Sequence, residues 1–256
     1  MIHDLHYRDN LVEAVCRGDR AVIHDREANR YFEVPANHRA LEGIAWEPYK
    51  SRITRPALGV IIASFCILCI TSYSWFFAYT PSRLTLGSAA VIFLWVIVNI
   101  AAHESAHILA MRLCGRRVEK MGFKLNYGIL PAFYVRMNQV LLLDRREKTF
   151  CHLAGPWMNL LLNTSVIAFF ATFRPPESLS NAIYIVLATL APNFLPILNS
   201  DGQKVLMVLC NVSKPRKLRN APPIILVIHA LSVLAAIAIP LRLCYSLITV
   251  YLTPWS

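Results

Sequence analysis

The residues His103-Glu104-Ser105-Ala106-His107 have the types and the spacing of a metal site that can carry out hydrolysis. Residues four apart share one face of a helix, so both imidazoles can reach one metal ion while Glu104 lies beside them. This arrangement suits Zn²⁺, which takes two or three protein nitrogens or oxygens and keeps one position open for water. The alternative is a pair of buried, hydrogen-bonded histidines that bind no metal.

Asp201 is the candidate for the third protein ligand that a catalytic zinc ion usually has. It is the only carboxylate between Glu177 and the C-terminus, and it follows a long apolar run. We expect Pro196 to end the helix before it, and Gly202 to allow a sharp turn that aims the carboxylate inward. The alternative is a carboxylate at a helix terminus on a membrane interface.

The elements that must position these residues are long apolar segments. The chain is 56% hydrophobic and 16% charged, with a mean hydropathy of +0.45, and about 20 apolar residues suffice to cross a membrane. The runs cover residues 57–79, 86–113, 150–173, 182–198 and 221–252. Pro240 and Arg242 leave open whether the last run is one kinked helix or a helix with a short return. We therefore expect an all-α polytopic membrane protein with about five to six transmembrane helices.

The net charge of +11 follows the membrane topology rather than a nucleic-acid-binding surface. Lys and Arg concentrate in the first 55 residues and in the segments 112–148 and 204–219. Because basic loops stay on the cytoplasmic side, we expect a cytoplasmic N-terminus in an integral protein of the bacterial cytoplasmic membrane. The polar start predicts no cleavable signal peptide, and no partnership with nucleic acid is expected.

Three ordered motifs resemble the site-2 proteases, the M50 family of intramembrane zinc metalloproteases. The first is the 103–107 segment, and the second is the family's N-x-x-P-x-x-x-L-D-G pattern, whose usual Leu is replaced by Ser200. The third is Gly155-Pro156-Trp157-Met158-Asn159, at the start of the third apolar run. The second pattern matches through Asn193, Pro196, Asp201 and Gly202. The resemblance covers roughly residues 86–211.

The resemblance implies a Zn²⁺ site made by His103, His107 and Asp201, with a water in the fourth position. Glu104 would be the general base that takes a proton from this water and gives one to the leaving amine. The implied activity is that of a zinc-dependent intramembrane endopeptidase. The substrate would be a transmembrane segment or a small ribosomal peptide delivered to the lipid bilayer, as in a peptide-maturation branch of the family.

Four further residues are candidates for substrate binding. Asn159 and Asn193 lie in apolar runs and could bind the oxyanion, a ligand or the substrate backbone, although hydrogen bonding between helices explains them equally well. Tyr127 and Tyr134 could face the site, and anchoring at the membrane interface is their alternative. Both belong to residues 122–135, which read as two short strands. The family resemblance implies a re-entrant β-hairpin here, whose free edge would pair with an extended peptide, and the alternative is an ordinary hairpin in a cytoplasmic loop.

Residues 1–55 are expected to form a small cytoplasmic segment, separate from a metalloprotease domain of residues 56–256. A hairpin is predicted near the start of the chain, with a turn from Asp25 to Arg30 between strands at residues 22–24 and 31–34. The segment resembles the PqqD-like peptide-recognition modules of enzymes that mature ribosomal peptides. A membrane-surface collar or a regulatory extension is the alternative.

Two other functions fit parts of the sequence. A non-catalytic zinc-binding scaffold or export partner for a peptide would keep the histidines, but it would not need Glu104. A transporter with a polar site at the membrane midplane would need neither the 103–107 motif nor the Asp-Gly element. The sequence does not indicate an oligomeric state.

Overall fold

The computed structural model describes residues 4–126, 130–171, 176–196, 200–210 and 223–252. The chain divides into two compact units. The strand-rich unit comprises Met1–Leu58 and Ile108–Cys151, and the helical unit comprises Gly59–His107 and His152–Ser256. The N-terminal residues therefore share a unit with the segment that follows the histidine motif.

The strand-rich unit contains a five-stranded antiparallel sheet, so the all-α expectation is wrong for this part of the chain. The order is β4-β3-β2-β1-β5, and the strands are β1 (Leu5–Arg8), β2 (Val12–Arg17), β3 (Arg20–Asp25), β4 (Arg30–Pro35) and β5 (Glu47–Pro48). The predicted hairpin is confirmed, with Ile23 opposite Phe32 in β3 and β4. Gly18, at φ +59, makes the tight turn between β2 and β3. Local turn residues predicted the hairpin of β3 and β4, but no local pattern predicted that β1 pairs with β5.

A second, two-stranded sheet follows the histidine helix. Its strands β6 (Lys120–Asn126) and β7 (Leu130–Arg136) pair in antiparallel register, with Phe123 opposite Phe133. The two short strands predicted for residues 122–135 are therefore confirmed. Tyr127 lies outside the described residues.

The helices account for most of the chain. They are α1 (Arg55–Ala78), α2 (Leu86–Leu113), α3 (Arg145–Phe170), α4 (Glu177–Phe194), α5 (Asp201–Leu209) and α6 (Pro223–Leu252). Four of the described helices, α1, α2, α3 and α6, are long and apolar enough to cross a membrane. This number is smaller than the expected five to six. The last run is one helix, since α6 continues through Pro240.

The fourth apolar run forms α4, which is not one of these four helices because its 18 residues begin with the polar sequence Glu-Ser-Leu-Ser-Asn. Instead α4 supplies most of the core of the helical unit. Tyr184 stacks on Phe76 of α1 at 4.5 Å, and both side chains are fully buried. Leu187 and Ala191 pack in the same cluster with Leu160 of α3.

Candidate metal centre

Three potential ligand atoms meet inside the helical unit. The Nε2 atoms of His103 and His107 are 3.1 Å apart, and each is 3.2 Å from Oδ2 of Asp201. Both histidines are buried, and the Asp201 side chain is 12% exposed. In the described part of the chain, these three residues are the group of His, Cys, Asp and Glu side chains arranged to hold an ion. The donors come from two helices that are far apart in sequence.

The triangle of donors fits the coordination of zinc. Zinc–nitrogen and zinc–oxygen bonds of about 2.0–2.1 Å in a tetrahedron place neighbouring donor atoms about 3.3 Å apart. The observed edges of 3.1 and 3.2 Å are close to this value. Three donors that share one face of a tetrahedron leave the fourth vertex free, as a catalytic site requires.

The two histidines occupy successive turns of α2, and α3 approaches them at a glycine. A Cβ atom on Gly155 would overlap Nε2 of His107 and would lie 2.6 Å from Nε2 of His103. Any side chain at this position would therefore fill the space where the two imidazoles converge. Steric crowding by the two imidazoles therefore explains the glycine of the Gly155-Pro156 motif, which the sequence alone did not explain.

Asp201 is the first residue of α5, and its neighbours hold it there. Ser200 caps the helix, because its side-chain oxygen accepts a hydrogen bond from the Gln203 amide at 3.0 Å. The residue that departs from the family pattern therefore has a clear local role. Gly202 is needed for a different reason from the expected turn, since a Cβ there would overlap the carbonyl oxygen of Phe194.

The second carboxylate oxygen of Asp201 has its own partner. Lys204 lies one turn later and donates from Nζ to Oδ1 at 2.9 Å, while Oδ2 faces the histidines. The side chain of Lys204 is 44% exposed, so this ion pair reaches solvent. Lys204 was not among the predicted site residues, although its position three residues after Asp201 on a helix is the signal that indicates it.

Glu104 is half-buried on α2, between the two histidines in sequence. It lies close enough to His103, His107 and Asp201 to interact with them electrostatically. A carboxylate beside the donor triangle is placed to exchange protons with a group bound there.

The four candidate substrate-binding residues differ in burial and in their contacts with the site. Asn159 is buried, and its side-chain amide lies 3.0 Å from Nδ1 of His103. Asn193 is exposed near the end of α4. Tyr134 is on β7, where its ring covers Gly122 of the facing strand. Tyr127 is not described. Of the four, only Asn159 is shown in contact with a ligand candidate.

Comparison with known proteins agrees with this geometry. Residues 90–183 match the model of peptidase family M50. Over these residues the chain is similar to peptidase family M50. It is 28% identical over 240 residues to a Bacillus subtilis (strain 168) protein named "Putative peptide zinc metalloprotease protein YydH", covering 90% of this chain and 92% of the relative. No solved structure matches the chain.

These similarities and the donor triangle support a zinc metallopeptidase, and the four apolar helices among the described residues agree with an integral membrane protein. The family match ends at residue 183 and so contains both histidines and Glu104. Asp201 lies beyond it. Asp201 is joined to the site by its contact with the two imidazoles.

Proposed function

We propose that this protein is an intramembrane zinc endopeptidase of the M50 family, with His103, His107 and Asp201 as the metal ligands and Glu104 as the general base. The main support for the proposal is that two imidazole nitrogens and one carboxylate oxygen lie as far apart as the donor atoms around a tetrahedral zinc ion. The site lies on α2, a helix that qualifies as a membrane span. Ionisable groups at such a place are costly and are functional by default.

Each residue of the site has a separate task. When bound, zinc would polarise the scissile carbonyl and lower the pKa of a water molecule. The two imidazoles are neutral donors and Asp201 supplies one negative charge, so the site keeps a net positive charge that favours the developing oxyanion. Lys204 neutralises the outer oxygen of Asp201 and keeps Oδ2 directed at the histidines.

Glu104 moves the protons of the reaction. As a carboxylate it accepts the proton of the attacking water, and as a carboxylic acid it donates that proton to the leaving amine. This one side chain therefore takes up one proton and returns one in each reaction. No covalent bond between enzyme and substrate is needed.

We propose a peptide in extended conformation as the substrate, either a membrane anchor or a small ribosomal peptide. The printed name of the Bacillus subtilis relative, which includes the words peptide zinc metalloprotease, favours the second class. The hairpin of β6 and β7 supports strand pairing with such a peptide, because Met121, Phe123 and Phe133 are exposed on a narrow sheet. Asn193 and Tyr134 remain candidates for contact with the peptide, as does Tyr127.

We also propose a cytoplasmic N-terminus. Glu13 in β2 pairs with Arg116, which follows α2, at 2.7 Å. Residues joined in this way lie on the same side of a membrane. The basic segments before α1 and after α2 therefore share one side, and the positive-inside rule makes this the cytoplasmic side.

The test compares the purified wild type with Glu104→Gln and Asp201→Ala. We expect zinc in the wild type and in Glu104→Gln, and cleavage of co-expressed candidate peptides by the wild type alone. Loss of a general base lowers the rate by about 10²- to 10⁴-fold. Glu177→Gln is the matched control, because Glu177 is an exposed carboxylate in the first turn of α4. Asp201→Ala should lose zinc.

Three results would overturn parts of the proposal. Equal cleavage by the wild type and Glu104→Gln removes Glu104 as the base. Unchanged zinc content in Asp201→Ala removes Asp201 from the ligand set. A wild type that binds zinc but cleaves neither anchor segments nor small peptides would favour the non-catalytic scaffold.

A further inference from the structure

One stripe of α2 carries more than the two histidines. Trp95, Asn99, His103 and His107 follow each other at intervals of four, so they lie on one face of the helix. On α3, Gly155, Asn159 and Asn163 repeat the same interval. These two stripes face each other, as their hydrogen bonds show. We call Trp95, Asn99, Asn159 and Asn163 the asparagine network.

The far end of the network is fully hydrogen-bonded. The indole Nε1 of Trp95 donates to Oδ1 of Asn163 at 3.0 Å. Nδ2 of Asn163 donates to Oδ1 of Asn99 at 2.7 Å and to the carbonyl of Asn159 at 2.8 Å. Nδ2 of Asn99 donates to the carbonyl of Trp95 at 2.9 Å. Because Asn99 and Asn163 are both buried, these bonds hold the two helices in one register.

The near end of the network contacts the metal-site candidate His103. Asn159 is only 2% exposed, and its Nδ2 lies 3.0 Å from Nδ1 of the imidazole. Its Oδ1 is buried and has no hydrogen-bond partner among the described residues. A half turn of the amide exchanges these two atoms without moving anything else.

The two amide orientations have opposite consequences for the imidazole. If Asn159 presents Nδ2, Nδ1 must accept, and the proton of neutral His103 sits on Nε2, where it blocks a metal bond. If Asn159 presents Oδ1, Nδ1–H donates to it and the Nε2 lone pair is free for the ion. The metal-binding state therefore requires Oδ1 toward His103. This orientation gives Oδ1 a donor, and Nδ2 takes the buried position that Oδ1 leaves.

We propose that Asn159, held by Trp95, Asn99 and Asn163, is the positioning residue that fixes the orientation and the tautomer of His103 and so sets the zinc affinity. This inference rests on the proposed function only in that His103 is a metal ligand. It assigns to Asn159 a contact with the ligand rather than with the substrate. Asparagines that only pack the two helices together would not need to contact Nδ1 of His103, the ring nitrogen opposite the metal-facing Nε2.

The experiment measures zinc release from the full-length protein to a chelator, together with the visible absorption spectrum of the cobalt-substituted protein. Asn159→Leu removes the acceptor and should release zinc about 10- to 100-fold faster, with an altered cobalt spectrum. Asn159→Asp keeps an oxygen acceptor for Nδ1–H and should restore slow release and the wild-type spectrum. A merely structural role would not produce this recovery.

A matched pair of tryptophan variants tests the rest of the network. Trp95→Phe deletes the donor to Asn163 and should accelerate zinc release several-fold. Trp157→Phe deletes an equivalent indole bond on α3, from Nε1 to Ser64 at 2.9 Å, which belongs to no chain leading to a histidine. It should leave zinc release unchanged. This pair keeps the test decisive if Asn159→Leu does not fold.

Wild-type zinc release in both Asn159→Leu and Trp95→Phe would overturn the proposal. So would unchanged zinc release with lost cleavage in Asn159→Leu, which would assign Asn159 to the substrate. Equal acceleration by Trp95→Phe and Trp157→Phe would reduce the network to helix packing. A wild type that binds no zinc at all contradicts the proposed metal site itself, and this result is distinguishable from all of these.

Discussion

The two units bury polar groups in different ways. In the strand-rich unit the buried polar groups are mostly charged: Glu13 binds Arg116 and His6, and Glu147 accepts from the Tyr49 hydroxyl at 2.5 Å. In the helical unit, away from the metal-site candidates, the buried groups are largely the neutral amides of Asn99, Asn159 and Asn163 and the hydroxyls of residues such as Ser72, which bonds Thr164.

The membrane provides the physical reason for this difference. A charged side chain deep in a bilayer costs several kcal/mol, whereas an amide can satisfy its hydrogen bonds with a neighbouring helix. The Glu13–Arg116 ion pair joins β2 with the residues after α2, and the Tyr49–Glu147 hydrogen bond joins the residue after β5 with the first turn of α3. On α2, Glu104 is the one charged residue before Arg112, and it lies at the candidate metal centre, where Asp201 reaches the histidines from α5.

The largest effect should come from filling the space between the imidazoles. Gly155→Ala adds a Cβ that overlaps His107, so an imidazole ligand must move away. We expect zinc binding at least about 1,000-fold weaker, or about 4 kcal/mol, by competition with a chelator. Gly59→Ala in α1 is the control, because nothing lies within 4 Å of a Cβ there. Full zinc content in Gly155→Ala would refute the steric argument.

The next effect separates the two units. Arg116→Met leaves Glu13 buried with His6 as its remaining side-chain partner. We expect a loss of about 3 kcal/mol, since breaking one side of a buried pair strands a charge. Native-state hydrogen exchange of the β2 and β3 amides measures this loss. Zinc affinity should stay unchanged, and a parallel fall in zinc affinity would show that the two networks are coupled.

A smaller effect should follow pH. Burial raises the pKa of Glu13, but the hydrogen bond from His6 and the Arg116 guanidinium outweigh it and lower this pKa from 4.5 to about 2. The stabilisation is therefore complete above pH 4.5 and is lost as the pH falls toward 2. Lowering the pH from 7 to 3 should therefore reduce the unfolding free energy of the strand-rich unit by about 2 kcal/mol through Glu13, as measured by the same hydrogen exchange. Glu13→Gln should remove this dependence.

The smallest effect belongs to an exposed ion pair of the same sheet. Arg20 donates to Glu33 at 2.8 Å, but both side chains are more than half exposed. Glu33→Gln should change the unfolding free energy by less than about 1 kcal/mol. A loss as large as that of Arg116→Met would mean that burial does not decide the strength of these pairs.

Local patterns predicted the parts of the fold that one segment determines. Hydropathy located α1, α2 and α3 to within a few residues, except that α3 begins five residues before its apolar run, at Arg145. Turn residues and alternation predicted the hairpins of β3 with β4 and of β6 with β7. The expected five to six spans are not confirmed, since four of the described helices are long and apolar enough and the apolar residues of α4 pack in the core of the helical unit.

The histidine spacing alone predicts two imidazoles on one helix face, whereas for Asp201 a carboxylate at a helix terminus was an open alternative. The packing of the helices brings Asp201 to both imidazoles, and at Gly155 it leaves room for them. It also decided that Asn159 reaches His103 while Asn193 is exposed. The reason is that contacts between helices depend on their relative register and rotation. These are set by packing over the whole helical unit and leave no mark in any one segment.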